Sequence, residues 1–239
     1  MVANSVDIQN KSGEGKSYTV EMEVLDAAGN AVASATAQAE VAASSQATVE
    51  LQTGAVATPH LWDVDDPYLY TAVTKIKDGD VELDSYSTRF GMRYFHFAQG
   101  PEDGSFYLNG KKIVLAGINR HEQGPWIGRA VPDKLQVQDA DLIKAPGIDA
   151  VRCSHYPQDP SFMDRCDEIG LLVFTEAPGW QHIGDDGWKA EFKNNLTELI
   201  LRDRNHPSVI SWSSRPNESK TATECNSECK ALINSLDPP

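Results

Sequence analysis

The sequence predicts a small antiparallel β-sandwich followed by an α/β region on parallel strands, with the change near residue 95. Three observations predict it. Apolar and polar residues alternate at period two before that point, strand–loop–helix cycles repeat after it, and the composition is that of a packed chain, 40% hydrophobic and 23% charged.

The alternation runs through Ser17–Val24, Thr48–Leu51, Tyr68–Thr74 and Val81–Thr88, each long enough for a half-buried strand. The segment from Ala31 to Thr48 is low in complexity, yet Val32, Ala35, Ala37, Ala39 and Val41 fit a strand with a lightly packed face. Asp26–Asn30 and Asp78-Gly79 are hairpin turns, and Asp66-Pro67 opens a further strand. Short strands at this spacing make a sandwich of residues 1–94. Trp62 is expected in its core, and Asp63, Asp65 and Asp66, which lack the glycine of a calcium loop, form a solvated turn.

Residues 95–239 read as four βα units. Ile113–Gly117 is an apolar run suited to a strand buried on both faces, and Asp133–Lys144 has helical spacing behind Pro132. Asp149–Arg152 follows as a strand, Pro160–Ile169 as a helix ended by Gly170, and Leu171–Phe174 as a strand. Trp188–Asp203, Ser208–Trp212 and Thr221–Leu236 complete the series as helix, strand and helix. Right-handed crossovers then leave a barrel or a doubly wound sheet. No glycine-rich phosphate loop follows the first strand, which counts against a dinucleotide-binding sheet.

Charge and cysteine content exclude other classes. With 21 Lys and Arg against 35 Asp and Glu the chain carries −14, so it repels phosphate backbones and nucleic acid is not an expected partner. No apolar run approaches the roughly 20 residues that span a bilayer, and the first residues have neither the charged nor the apolar part of a signal peptide. A soluble chain is expected, with no membrane partner, and nothing separates cytoplasm from periplasm. Cys153, Cys166, Cys225 and Cys229 show neither a CxxC pair nor zinc spacing and read as structural thiols.

Barrel chemistry sits just after the strands, and all four strand ends are polar: Asn119-Arg120-His121-Glu122, Ser154-His155-Tyr156, Glu176 and Asn217-Glu218. These residues belong to a longer ordered series. Leu61-Trp62 with Pro67–Tyr70, Phe90–Arg93, Leu108–Gly110, Gly117–Glu122, Val151–Pro157, Cys166–Val173, Arg204–Pro207 and Asn217–Ser219 resemble the successive signatures of glycoside hydrolase family 2, from about residue 5 to the end. The resemblance implies an immunoglobulin-like sandwich followed by the first four βα units of a TIM barrel. It further implies retaining hydrolysis of β-glycosides in carbohydrate metabolism, and the segments Val151–Pro157 and Glu176–Trp180 are most similar to the β-galactosidase branch.

Retaining hydrolysis uses two carboxylates about 5–5.5 Å apart, a proton donor and a nucleophile. By resemblance Glu218 is the general acid/base, and burial or a neighbouring carboxylate, with Glu176 the candidate, is expected to raise its proton affinity. Asn217 is implied as the hydrogen-bond partner of the sugar 2-hydroxyl, His121 and His155 as sugar-contacting groups, and Arg152 as an ion-pairing group that orients the acids. Trp180 or Trp126 offers a face for a pyranose. Glu176 also resembles a magnesium position, jointly with Glu218, but Pro178 stands where a ligand would be, so no cofactor is expected.

A full barrel takes about 250 residues, so the expectation is a central fragment whose nucleophile, after the seventh strand, lies elsewhere. The family's jelly-roll domain and the sandwich's first strand are likewise not expected here. Pro216 is an unexpected neighbour of the site, and Pro146 falls at a helix end. The partner is then a β-linked sugar, with self-association through the open barrel edges. The alternative is an inactive fragment, or a non-catalytic module that binds carbohydrate or another chain.

Overall fold

Alternating side chains produce two antiparallel sheets in the first part of the chain. The structure is a computed structural model that describes residues 1–98, 104–220 and 222–238. Strands β1 (Ala3–Asn10) and β4 (Ser45–Gln52) pair with each other, and β2 (Lys16–Leu25), β3 (Ala31–Val41), β5 (Tyr70–Asp78) and β6 (Val81–Phe90) form a second sheet in the order β3-β2-β5-β6. Period two does the sorting: Tyr18, Val20, Met22 and Val24 of β2 are buried while Glu23 between them is exposed. Ile8, Val49 and Leu51 from one sheet pack against Tyr18, Val20, Met22, Ala39 and Val41 of the other. Edge strand β6 is exposed along most of its length and carries Glu82, paired with Lys75 at 3.0 Å. Charged edges of this kind oppose strand-to-strand aggregation.

One expectation changes here. Residues 3–10, for which no strand was foreseen, form β1 in register with β4, Val6 opposite Val49. Only Val6 and Ile8 supply its apolar positions after Val2, too few to mark a strand by pattern. In the Ala/Ser segment the alternation from Val32 to Val41 forms β3, and residues 42–44, with Ser44 at φ 51°, separate it from β4, which begins at Ser45, ahead of the expected Thr48.

The contacts divide the chain into one unit of Met1–His60 with Leu69–Met92 and another of Leu61–Tyr68 with Arg93–Pro239. Trp62, expected in the sandwich core, is therefore corrected to the second unit. It is fully buried there, and its indole Nε1 donates to the Asp167 carbonyl at 2.8 Å. Asn109 Nδ2 donates to the Trp62 carbonyl at 2.9 Å.

The second unit starts with a three-stranded antiparallel sheet, β7 (Phe95–Phe97), β8 (Phe106–Leu108) and β9 (Lys111–Ile113). Asn109 and Gly110 link the last two at φ 50° and 80°, the geometry that a two-residue hairpin demands. Four parallel strands follow in the order β10 (Gly117–Arg120), β11 (Ala150–Cys153), β12 (Leu172–Glu176) and β13 (Val209–Ser213). They alternate with α1 (Asp133–Lys144), α2 (Pro160–Ile169), α3 (Asp186–Asp203) and α4 (Thr223–Leu236). Thr221, expected to open the last helix, lies outside the described residues.

The expected first parallel strand, Ile113–Gly117, is corrected: Ile113 pairs back to Phe106 in the hairpin, and β10 begins at Gly117 opposite Ala150. Val114 in the middle of that run is 78% exposed, so its apolar character did not signal burial. Asn119 and Arg120 consequently lie within the strand, not after it. Arg120 is buried against the helices, where it bonds Gln136 at 2.6 Å, Asp139 at 2.8 Å and also Gln158, with its guanidinium 4.0 Å from the Phe162 ring centre.

One apolar layer lies between strands and helices, joining Ala140 and Ile143 of α1, Phe162, Met163 and Cys166 of α2, and Val151, Cys153 and Val173. Another joins Phe192, Leu196 and Ile200 of α3 to Cys225 and Cys229 of α4. All four cysteines are free and buried, and burial pushes the Cys153 thiol up to about 12. Helix α2 shows how sequence sets its limits. Asp159 accepts from Ser161 N at 2.8 Å, Pro160 occupies the first turn, and Gly170 closes the helix at φ 69°. A Cβ on Gly170 would stand 2.3 Å from the Val64 carbonyl oxygen.

Gly170→Ala is therefore expected to lower the unfolding free energy by about 2 kcal/mol or more, since left-handed φ alone costs an L-residue roughly 1–2 kcal/mol. An unchanged urea midpoint would contradict this. A second expectation concerns His206, whose Nδ1 lies 2.6 Å from Asp167 Oδ2. Burial disfavours its imidazolium, but the hydrogen bond and charge of Asp167 outweigh this and raise the group above its ordinary 6.5. The stability it contributes is present below pH 6.5 and disappears as pH rises through the raised value. His206→Gln should remove that part of the pH dependence in denaturant titrations.

Candidate active site

The carboxyl ends of β11, β12 and β13, with the loops that follow β10 and β12, bring polar side chains together. Strand β11 delivers Arg152, and the residues after it deliver His155 and Tyr156. Strand β12 ends in Glu176, which is 2% exposed, and leads through Ala177-Pro178-Gly179 to Trp180 and Gln181. Residues after β13 deliver Asn217 and Glu218.

Glu176 is the buried centre. Arg152 Nε lies 2.8 Å from its Oε1, and His155 Nδ1 lies 3.6 Å from the same oxygen. A carboxylate this buried requires a counter-charge, and Arg152 supplies it. The other limb of the guanidinium, Nη2, donates to Asn217 Oδ1 at 2.8 Å. That contact fixes which end of the amide is oxygen, so Asn217 Nδ2 is the end left to donate, 3.4 Å from His155 Nε2. The His155 ring meets His121 edge to face at 5.1 Å between centres, and His121 in turn lies 6.3 Å from Tyr156.

Glu218 sits differently. It is exposed, at φ 53°, a left-handed conformation that is sparsely populated by residues other than glycine, asparagine and aspartate. The segment after β12 supports it: Trp180 forms a parallel bridge with Asn217, and Gln181 N donates to the Asn217 carbonyl at 2.8 Å. The side chains of both residues then reach Glu218 Oε2, Gln181 Nε2 at 2.9 Å and Trp180 Nε1 at 3.1 Å. Pro216 is buried beside Gly179, where a Cβ would lie 3.1 Å from Pro216 Cβ, so glycine there permits the close approach.

The expectation that burial or Glu176 raises Glu218 is overturned. Hydrogen bonds from Gln181 and then Trp180 lower it below the ordinary carboxylate value, with smaller help from the charges of His155 and Arg152. Desolvation acts the other way and is outweighed, and Glu176 is itself paired with Arg152 at 2.8 Å.

The structure thus connects Arg152, Glu176, Asn217, His155, His121, Trp180 and Glu218, seven of the residues singled out from sequence. Trp126 is fully exposed in the loop after β10, and no described contact joins it to Glu218. Gln181 was missed, although it adjoins Trp180 and carries an amide. So was a cluster at the opposite end of the strands, where ligand atoms of Asp164, Asp167 and His206 lie within 4.8 Å of one another. Its Asp167 oxygens are engaged by His206 and by Ser208 N at 3.1 Å, which makes it a packing device.

Comparison with known proteins completes the picture. Residues 2–93 match Glycosyl hydrolases family 2, and residues 101–239 match Glycosyl hydrolases family 2, TIM barrel domain. A β-galactosidase of Thermoanaerobacter pseudethanolicus is 48% identical over 180 residues, which cover 75% of this chain and 24% of that protein. A β-galactosidase of Bacteroides ovatus is 35% identical over 210 residues, covering 85% of this chain and 24% of its own length. Among solved structures, Bacteroides uniformis β-glucuronidase 2, covalently bound to cyclophellitol-6-carboxylate aziridine, superposes with TM-score 0.82 at 27% identity over 98% of this chain and 29% of that one. A family 2 member from Bacteroides cellulosilyticus does so with TM-score 0.86 at 28% identity, over 98% of this chain and 31% of that one. The chain spans about a quarter of the length of the curated relatives it matches. The matches cover both units, and the chain belongs to glycosyl hydrolases family 2.

Proposed function

We propose that the chain forms the sandwich and the first four βα units of the catalytic barrel of a retaining β-glycosidase, and that it supplies the general acid/base, Glu218. The observation that carries this reading is the convergence of one exposed carboxylate with a fixed amide donor, two histidines and an aromatic face at one end of four parallel strands. The 48% identity to a β-galactosidase favours a β-galactoside over a β-glucuronide as substrate.

In the first half-reaction a carboxylate nucleophile attacks the anomeric carbon while Glu218 gives its proton to the departing oxygen. In the second, ionised Glu218 takes a proton from the water that releases the sugar. Asn217 Nδ2, aimed by Arg152, donates to the sugar 2-hydroxyl, and His121 and His155 line the same side. Trp180, 59% exposed, offers its face to the ring while its Nε1 holds Glu218. The nucleophile belongs after the seventh strand of the barrel, beyond the four strands present. The covalent complex of the Bacteroides uniformis enzyme is in keeping with such a step. A magnesium ion does not fit between Glu176 and Glu218. The Arg152 guanidinium already occupies the position beside Glu176, and Glu218 Oε2 faces two N–H donors.

Glu218→Gln in the enzyme assembled with its nucleophile is expected to lower kcat/KM for galactosides with poor leaving groups by about 10²–10⁴, and far less for activated aryl galactosides. Equal losses on both would remove Glu218 from the acid role. The 239-residue chain alone is expected to release no product from aryl β-galactosides, and turnover abolished by Glu218→Gln would overturn that. Among the described residues strands β10 and β13 each pair on one side only, so self-association of the isolated chain is expected. A single monomer boundary in sedimentation would refute it.

A further inference from the structure

Gln181 makes a contact that loop packing does not explain. Its backbone N–H donates to the Asn217 carbonyl and the bridge between Trp180 and Asn217 aligns the two segments, which is all the backbone requires. Yet two side-chain donors of different chemistry, an amide and an indole, meet on the same oxygen of an exposed carboxylate at 2.9 and 3.1 Å. An exposed carboxylate obtains hydrogen bonds from water without help, so a pair of protein donors on one oxygen selects a geometry. The donors are neutral, so they orient the group without the strength of an ion pair. Oε1 accepts no hydrogen bond from the described residues.

We propose that Gln181 is a positioning residue for Glu218: with Trp180 Nε1 it holds Oε2 and so assigns Oε1 as the oxygen that exchanges the proton with the leaving group and with water. The assignment rests on the acid/base reading and sharpens it. A proton on Oε2 would point at two N–H groups and find no acceptor. The proton therefore resides on Oε1, from which it passes to the glycosidic oxygen as the bond to the anomeric carbon breaks and its electron pair remains on that oxygen. In the return step the water O–H bond breaks and its proton goes to Oε1, while its oxygen bonds the anomeric carbon as the bond from that carbon to the nucleophile carboxylate breaks and its electron pair returns to the carboxylate. Both donors favour the ionised form, so the resting chain is prepared for the second step and the first demands protonation against the clamp.

The test uses the 239-residue chain labelled with carboxyl-¹³C glutamate, the Glu218 resonance being recognised by its loss in Glu218→Gln. In the unaltered chain it should titrate below the ordinary glutamate range. Gln181→Ala and the isosteric Gln181→Met should each move the midpoint up, and Trp180→Phe should do so independently. Removing both donors should bring it into the ordinary range. Gln181 is exposed, so circular dichroism should be unaltered in these variants. A midpoint that stays in place in Gln181→Met, with the fold intact, overturns the proposal. Because the titration needs no turnover, it judges Gln181 even where the acid/base reading fails, and full turnover by Glu218→Gln would end that reading alone. In the assembled enzyme, Gln181→Met should shift upward the basic limb of the kcat/KM profile, which follows loss of the Glu218 proton.

Discussion

The ion pair between Arg152 and Glu176 is the constraint on which the strand ends depend. Glu176 is 2% exposed, and a carboxylate without a counter-charge at that depth would be neutralised or expelled. The Arg152 Nε at 2.8 Å permits it to stay, and the same planar guanidinium reaches Asn217 with Nη2. A lysine would provide charge but not two donors in fixed relation. One buried charge therefore orients three strand ends: Glu176 on β12, Arg152 on β11 and, through its amide, Asn217 after β13. The identity of the Asn217 donor and the placement of His155 follow from it.

The chain's second half was legible because local signals and tertiary structure agree there. Asp159, Pro160 and Gly170 mark α2 at both ends, and the polar residues at the strand ends marked the rim. Where they failed, the missing information was a partner. Ile113 has the same apolar side chain whether it pairs with Phe106 or with a parallel strand, and only the hairpin at Asn109-Gly110 decides. Trp62 reads as core in either unit, and what places it is Asp167, 105 residues away, accepting its indole N–H. The proton affinity of Glu218 was misjudged for the same reason. Sequence named a carboxylate neighbour, whereas the structure supplied donors, Gln181 and Trp180, and gave the carboxylate neighbour to Arg152.

Pro216 shows how an apparent defect becomes part of the support. It lacks an N–H and fixes φ just before Asn217, which from sequence alone argued against a well-formed catalytic loop. In the structure it is buried, and Gly179 opposite has no Cβ to meet it. The two segments can then run close enough for Trp180 to bridge Asn217 and for Gln181 N to reach its carbonyl. A rigid residue on one side and the smallest on the other define the gap. Left-handed Glu218 follows at φ 53°, a conformation that costs on the order of 1–3 kcal/mol and persists only where its surroundings over-determine it. Here the surroundings are the clamped backbone of residue 217 and the two donors on Oε2. The strain at residue 218 and the clamp on its carboxylate are thus two consequences of one close approach between the loops after β12 and β13.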